Sequence, residues 1–137
     1  MRPSRDVTLM DVAHVFARRG TCSRLPVGAC FSREGRVLIT GYNGPPAGAP
    51  ECIHGVDEPC ADAIHAEANG ISYAARTGVR LEGCTAHVTH SPCPVCARLL
   101  VQAGVERVVY EIPYRLTEPL DYLRSAGVAV AMLNRHA

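Results

Sequence analysis

The chain has 137 residues, enough for one domain and not comfortably two. Its 14 basic and 13 acidic residues give a formal net charge of +1, which argues against a protein that lives on nucleic acid or on an anionic membrane. All 14 basic residues are arginine, and the absence of lysine excludes Schiff-base chemistry and a Walker A phosphate loop. Seven cysteines are too many to be incidental and too few for a small disulfide scaffold.

Hydrophobic periodicity predicts the element order α-β-β-α-β-α-β-α-β in a single domain over 1–137. The predicted helices are 8–19, 61–77, 92–103 and 119–126, and the predicted strands are 27–32, 36–42, 84–89, 107–111 and 128–133. A Gly/Pro-rich loop fills 43–58, which is long for a connection in a compact domain. The order indicates a layered α/β fold whose five-stranded sheet is mixed, because its first two strands form a hairpin.

The chain contains no apolar run of 18 residues, and its charged start lacks the apolar stretch of a secretory signal. We therefore expect no membrane partner and a cytoplasmic location. In that reducing compartment, clustered cysteines more often bind metal or take part in chemistry than form disulfides.

Two short motifs carry the predicted chemistry. His65 and Glu67 lie near the start of the second helix, and Cys93 and Cys96 open the third. One imidazole and two thiolates at helix starts predict a zinc site with an open fourth position for water, whose pKa the metal lowers to about 7. His65 and Glu67 can both approach a metal only if it sits over the helix end, and Glu67 is then the group that transfers protons. A closed structural zinc site remains the alternative.

With these motifs, the chain resembles the cytidine/deoxycytidylate deaminase family, most closely its deoxycytidylate deaminase branch of bacterial and phage type. The order H-x-E followed by P-C-x-x-C is the zinc deaminase signature. The resemblance rests on CSRLPVGA at 22–29, GYNGPPAG at 41–48, IHAEAN at 64–69 and VTHSPCPVCA at 88–97. It implies a three-layer α/β/α fold, hydrolysis of dCMP to dUMP and ammonia, and zinc at His65, Cys93 and Cys96. It also implies a homo-oligomer, often a hexamer.

The same resemblance implies substrate contacts. It places Asn43 at the sugar and Ser91 and Tyr114 on the substrate side, and it makes the backbone N–H groups of Ala66 and Cys93 candidates for holding the cytosine carbonyl. His90 precedes the metal motif and can line the pocket, whereas strand alternation puts His87 on the opposite face. Tyr114 could instead be a packing residue, and the Asn43 loop a simple connection.

Without lysine, a 5′-phosphate must be held by arginine, backbone N–H groups or neutral donors. Arg24 and Arg115 are the arginine candidates, because a guanidinium can grip a phosphate with two hydrogen bonds. A solvated arginine is the alternative at both positions.

The remaining cysteines suggest a second metal site. Some members of the branch carry a structural zinc, and the resemblance places two of its ligands at Cys22 and Cys52. We complete the site with His54 and Cys60, giving a closed Cys3His set. Unpaired loop cysteines are the alternative, while Cys30 and Cys84 fall in strand patterns and are expected in the core.

Three function classes remain open. The first is a deaminase of dCMP. The second is a deaminase with another substrate, such as CMP, a modified cytosine nucleotide, a nucleoside, or adenosine in tRNA, although the near-zero charge disfavours tRNA. The third is a zinc-stabilised binding protein without catalysis, which would not need Glu67.

Overall fold

A computed structural model of the protein describes residues 1–21, 25–52, 62–114 and 116–135. The helices are α1 (Arg5–Ala17), α2 (Ala66–Thr77), α3 (Pro94–Gln102) and α4 (Glu118–Ser125). The strands are β1 (Gly28–Arg33), β2 (Arg36–Tyr42), β3 (Thr85–His90), β4 (Arg107–Ile112) and β5 (Ala129–Met132). Within these ranges, none of the helices has the length and apolar character that crossing a membrane requires.

The five strands form one mixed sheet in the order β2-β1-β3-β4-β5. β1 pairs antiparallel with both β2 and β3, whereas β3, β4 and β5 run parallel to one another. The predicted five-stranded mixed sheet is thus confirmed. Because β3 and β4 are parallel, their carboxyl ends meet at one edge, and α3 begins just after β3 at that edge.

Helices cover both faces of the sheet, as the three-layer prediction requires. α1 packs on one face, where its apolar side chains meet Cys30 of β1 and Val109 of β4. The opposite face carries the larger core, in which α2, α3 and α4 bury Phe31, Val88 and other alternate strand residues. Cys30 and Cys84 are both fully buried, as expected for core cysteines.

Two glycines let α2 approach the sheet closely. A Cβ on Gly41 of β2 would lie 2.2 Å from the carbonyl oxygen of Ala66, and a Cβ on Gly70 of α2 would lie 2.5 Å from the ring of Phe31. Real Cβ contacts this short essentially never occur. The first turn of α2 therefore sits on β2 at a distance that only glycine permits.

Two predicted helix starts differ from the observed ones by three residues or more, whereas those of α3 and α4 differ by one or two. α1 begins at Arg5 rather than residue 8, because the Ser4 hydroxyl accepts a hydrogen bond from the Val7 N–H and caps the helix. The described part of α2 begins at Ala66 rather than residue 61. The residues before it are extended, since Ile64 pairs with Gly44 through two backbone hydrogen bonds of 3.1 and 2.7 Å.

A partly buried ion cluster joins the start of α1 to the sheet at the end opposite the metal motif. Asp6 accepts two hydrogen bonds from the Arg107 guanidinium, at 2.9 and 2.8 Å, and lies 2.8 Å from His87 Nε2. The hydrogen bonds from Arg107, followed by that from His87, lower the pKa of Asp6 to about 2 despite its partial burial. His87 is buried on the α1 face, as strand alternation predicts.

Candidate active site

The site forms where the ends of the long loop close against the sheet. The bridge between Gly44 and Ile64 fixes the position of the next residue, His65, which is the extended N-cap residue of α2. Glu67 is the second residue of that helix and is buried. The start of α2 therefore holds both side chains at one helix end, the arrangement that the spacing requires if both are to approach one metal.

α3 supplies the other two metal-ligand candidates. Cys93 is its N-cap residue, and the Cys93 Sγ accepts a hydrogen bond from the Cys96 N–H at 3.4 Å. Pro94 in the first turn suits a helix start, because its missing N–H would have no intrahelical partner. One helical turn thus places both sulfurs on the side that faces α2.

The three candidate ligands converge with distances that suit zinc. His65 Nδ1 lies 3.4 Å from the Sγ of Cys93 and 3.4 Å from the Sγ of Cys96, and all three atoms fall within 4.8 Å of one another. Tetrahedral zinc bonded to nitrogen and sulfur at its usual bond lengths separates the two atoms by about 3.6 Å. The donor set and its spacing therefore fit one zinc ion and leave a fourth position to a water molecule.

Three ionisable groups at this site are strongly perturbed, and one of them is the Cys96 thiol, whose pKa is raised by its hydrogen bond with the Cys93 sulfur and by burial. Hydrogen bonds from the Cys96 side chain, from His65 and from the Cys96 N–H lower the pKa of Cys93 to about 4, outweighing its partial burial. Burial raises the pKa of the Glu67 carboxyl to about 7. A thiolate in the ligand set and a carboxyl that can exchange a proton near neutrality both suit metal-assisted hydrolysis.

A cavity of about 150 Å³ opens beside the cluster. Eight residues that the sequence predicted at the site line it, and a ninth, Cys96, belongs to the adjoining metal cluster. The described residues that line it are Leu25, Val27, Asn43, Ala63, His65, Ala66, Glu67, His90, Ser91, Cys93 and Tyr114. No arginine lines it among the described residues, and Glu67 is the carboxylate at its wall.

Asn43 lines the cavity, yet most of its side chain is engaged in holding neighbouring backbone. Its Oδ1 accepts a hydrogen bond from the Val27 N–H at 2.8 Å, and its Nδ2 donates to the Leu25 carbonyl at 2.7 Å. One hydrogen on Nδ2 and one lone pair on Oδ1 remain for other partners. Asn43 therefore fixes the segment before β1, which itself forms part of the cavity wall.

Ser91 serves the neighbouring wall in a similar way. Its Oγ accepts a hydrogen bond from the Tyr114 N–H at 2.7 Å, and the Ser91 N–H donates to the Ile112 carbonyl at 3.0 Å. These bonds fix the chain that leaves β4, so that Tyr114 lines the cavity. Ser91 is itself buried at the wall.

Several predicted site residues lie outside the part of the chain that the structure describes. Arg24 and Arg115, the candidate phosphate ligands, fall outside it, as do Cys22, His54 and Cys60 of the second metal site. Cys52 of that set is described and partly buried, and it is not one of the three clustered ligands.

The cavity residues that sequence reasoning missed are the apolar Leu25, Val27 and Ala63. No motif marks them, because their exposure to the cavity depends on the path of the chain before β1 and before α2.

Comparison with known proteins agrees with this geometry. Residues 3–112 match the family model described as the cytidine and deoxycytidylate deaminase zinc-binding region. The chain is 39% identical to the ComE operon protein 2 of Bacillus subtilis, over 88% of this chain and 67% of that protein. It is 32% identical to the deoxycytidylate deaminase of Enterobacteria phage T2, over 90% of this chain and 89% of the relative.

A solved structure is similar over almost the whole chain. The dCMP deaminase of cyanophage S-TIM5, crystallised in complex with dCMP and dUMP, superposes with a TM-score of 0.89 at 34% identity, covering 97% of this chain and 99% of that one. The family match spans the loop, both metal motifs and four of the five strands. This chain therefore belongs to the zinc-binding cytidine and deoxycytidylate deaminase family.

Proposed function

We propose that this chain is a zinc-dependent enzyme that converts dCMP and water to dUMP and ammonia. The observation that carries the proposal is the buried Glu67 beside the His65, Cys93 and Cys96 cluster, at the wall of a cavity. A structural zinc site has no need of such a carboxylate. The similar phage protein crystallised with dCMP and dUMP supports this choice of substrate and product.

In this proposal His65, Cys93 and Cys96 hold the zinc. When bound, the ion supplies Lewis-acid activation of a water molecule, lowering the pKa of that water to about 7. Glu67 takes a proton from the attacking water and delivers it to the ring nitrogen beside C4 of cytosine. C4 becomes a tetrahedral carbon that bears the new hydroxyl and the amino group. Glu67, again a carboxylate, takes the proton of that hydroxyl and passes it to the amino group, so that the C4–N bond breaks, ammonia leaves and the C4 carbonyl forms. Backbone N–H groups of Ala66 and Cys93, at the two helix starts, hold the cytosine carbonyl.

The experiment measures ammonia release from dCMP, CMP, deoxycytidine and cytidine with zinc-loaded protein. We expect dCMP to be the preferred substrate, and Glu67→Gln to lower kcat by about 10² to 10⁴-fold with the zinc content unchanged. Glu106→Gln is the matched control, because Glu106 is an exposed carboxylate next to β4, at the far end of the sheet. Turnover of none of the four substrates, or full activity of Glu67→Gln, would refute the proposal.

We propose that Arg24 and Arg115 hold the 5′-phosphate. Their sequence neighbours Leu25 and Tyr114 both line the cavity, which supports this assignment. Replacing either arginine by glutamine should reduce the preference for dCMP over deoxycytidine. An unchanged preference in both variants would contradict this assignment and would mean that backbone N–H groups and neutral side chains bind the phosphate.

We propose a second, structural zinc held by Cys22, Cys52, His54 and Cys60. The composition of that set suits a closed site. Elemental analysis should find two zinc ions per chain, and one per chain would remove this second site.

We also propose a single deaminase domain over 1–137 that assembles as a homo-oligomer in the cytoplasm. Exposed apolar side chains on α2 and α3, among them Tyr73 and Val95, support assembly. The unbridged described cysteines are consistent with a reducing compartment. Light scattering on the purified zinc protein measures the assembly, and a monomer at micromolar concentration would contradict it.

A further inference from the structure

A short hydrogen-bond chain runs from β1 through β3 to the cavity. The side chain of Thr89 is completely buried, and its Oγ1 accepts a hydrogen bond from the Gly28 N–H at 3.1 Å. The same Oγ1 lies 2.9 Å from Nδ1 of His90. His90 itself lines the cavity beside the metal cluster.

The direction of the second hydrogen bond follows from the burial of Thr89. A threonine hydroxyl has one hydrogen to donate, and a buried hydroxyl that donates to nothing carries a substantial free-energy penalty. Among the described residues, Nδ1 of His90 is the acceptor within reach of that hydrogen. Thr89 therefore donates to Nδ1, so Nδ1 bears no proton and the neutral ring carries its proton on Nε2.

The rest of the ring is held in place and left facing the cavity. Its edge meets the ring of Tyr114 in a T-shaped contact, with 6.1 Å between centroids and an interplanar angle of 84°. Nε2 has no hydrogen-bond partner in the part of the chain that the structure describes. Burial lowers the pKa of His90, and the nearby His14 acts in the same direction, so the ring stays neutral at physiological pH.

We propose that Thr89 is a positioning residue that fixes His90 as its Nε2–H tautomer, and that His90 donates this N–H to an acceptor oxygen of the bound nucleotide. The inference rests on the proposed function, since it assigns a substrate contact at the same cavity. A neutral ring N–H can donate to a sugar, base or phosphate oxygen alike. It adds a directed hydrogen bond without adding a charge near Glu67.

The first test compares Thr89→Val, which keeps the side-chain shape, with Thr89→Ser, which keeps the hydroxyl. We expect Thr89→Val to raise KM for dCMP about three- to tenfold with kcat little changed, because a lost binding contact acts on ground and transition states alike. Thr89→Ser should restore the wild-type KM. Equal defects in the two variants, or a normal KM in Thr89→Val, would overturn the proposal.

Deoxycytidine serves as the second substrate and locates the acceptor. A KM increase confined to dCMP places the acceptor oxygen on the phosphate, and an equal increase with deoxycytidine places it on the sugar or base. Both results support the donor role of His90.

A double-mutant cycle separates positioning from general packing. His90→Phe keeps an aromatic ring against Tyr114 and removes the donor. If Thr89 acts through His90, adding Thr89→Val to His90→Phe produces no further rise in KM, whereas additive effects would refute the coupling. Thermal denaturation of each variant checks that the fold is intact.

The tautomer itself can be read without any turnover. In the zinc-loaded wild-type protein, ¹⁵N NMR of the His90 ring should show an unprotonated Nδ1 and a protonated Nε2. A proton on Nδ1 overturns the inference. If the tautomer is as expected but the wild type turns over no dCMP, the proposed function fails and the assignment of the tautomer stands.

Discussion

Replacing Gly41 by alanine should displace the start of α2 and with it two groups of the catalytic site. The added Cβ would lie 2.2 Å from the Ala66 carbonyl oxygen and 2.8 Å from the Gly70 backbone nitrogen. Ordinary van der Waals contact begins near 3.4 Å, so α2 and β2 must separate by about 1.2 Å. Because His65 and Glu67 belong to that helix start, the displacement reaches one metal ligand and the proton-transfer group directly.

The expected cost follows from the size of that displacement. Overpacking of this kind destabilises a protein by about 1–3 kcal/mol, which lowers Tm by roughly 3–10 °C in a chain of 137 residues. A misplacement of about 1 Å in a catalytic group costs on the order of 10²-fold in rate. We therefore expect kcat for dCMP deamination to fall by about that factor, beyond what partial unfolding at the assay temperature explains.

The assay combines thermal denaturation, zinc content and kcat on the same preparation. Val37→Ala is the control, since Val37 lies exposed on the same strand and should change stability by less than about 0.5 kcal/mol. If Gly41→Ala keeps the wild-type Tm and kcat, then α2 does not depend on this close approach and the reasoning is wrong.

Three further substitutions test other contacts. Asp6→Asn should lower the free energy of unfolding by about 1–2 kcal/mol at neutral pH, because it weakens the paired hydrogen bonds with Arg107. Since the folded-state pKa of Asp6 is about 2, below its unfolded value, urea denaturation should show this advantage vanishing as the pH falls from about 4 towards 2; an advantage independent of pH would contradict the ion pair. Asn43→Asp keeps the acceptor for the Val27 N–H and loses the donor to the Leu25 carbonyl, so Tm should fall by a few degrees and KM should rise. A raised KM with an unchanged Tm would count against the structural role of Asn43. Ser91→Ala removes the acceptor of the Tyr114 N–H and should raise KM several-fold with zinc content unchanged, which steady-state kinetics and elemental analysis would check; a normal KM would show that this wall of the cavity does not need the bond.

Local features of the sequence were enough to predict most of the fold. β2 has the predicted limits, and the sheet is mixed because β1 and β2 form the predicted antiparallel hairpin. The residues of the metal cluster were predictable because two short motifs carry them, each at the start of a helix. The limits of a strand and the ligands of this cluster are each determined by a few neighbouring residues of the chain.

The features that could not be predicted depend on contacts between distant segments. The start of α2 was placed too early, since the pairing of Ile64 with Gly44 joins two ends of a loop that local patterns treat independently. The hydrogen bond between Asn43 and the segment before β1 also joins residues that are distant in the sequence. The proton on His90 Nε2 depends on the burial of Thr89, which only the assembled sheet defines.

Because two hydrogen bonds join Gly44 to Ile64, the geometry of the site does not depend on the length of the loop between them. They clamp the chain where it enters and leaves the long connection, immediately before His65. The entropic cost of closing a loop grows only with the logarithm of its length, by about 0.6 kcal/mol for each doubling. Insertions or deletions between the clamped ends can therefore accumulate at small thermodynamic cost, which makes this connection a natural place for related chains to diverge in length while keeping the same metal site.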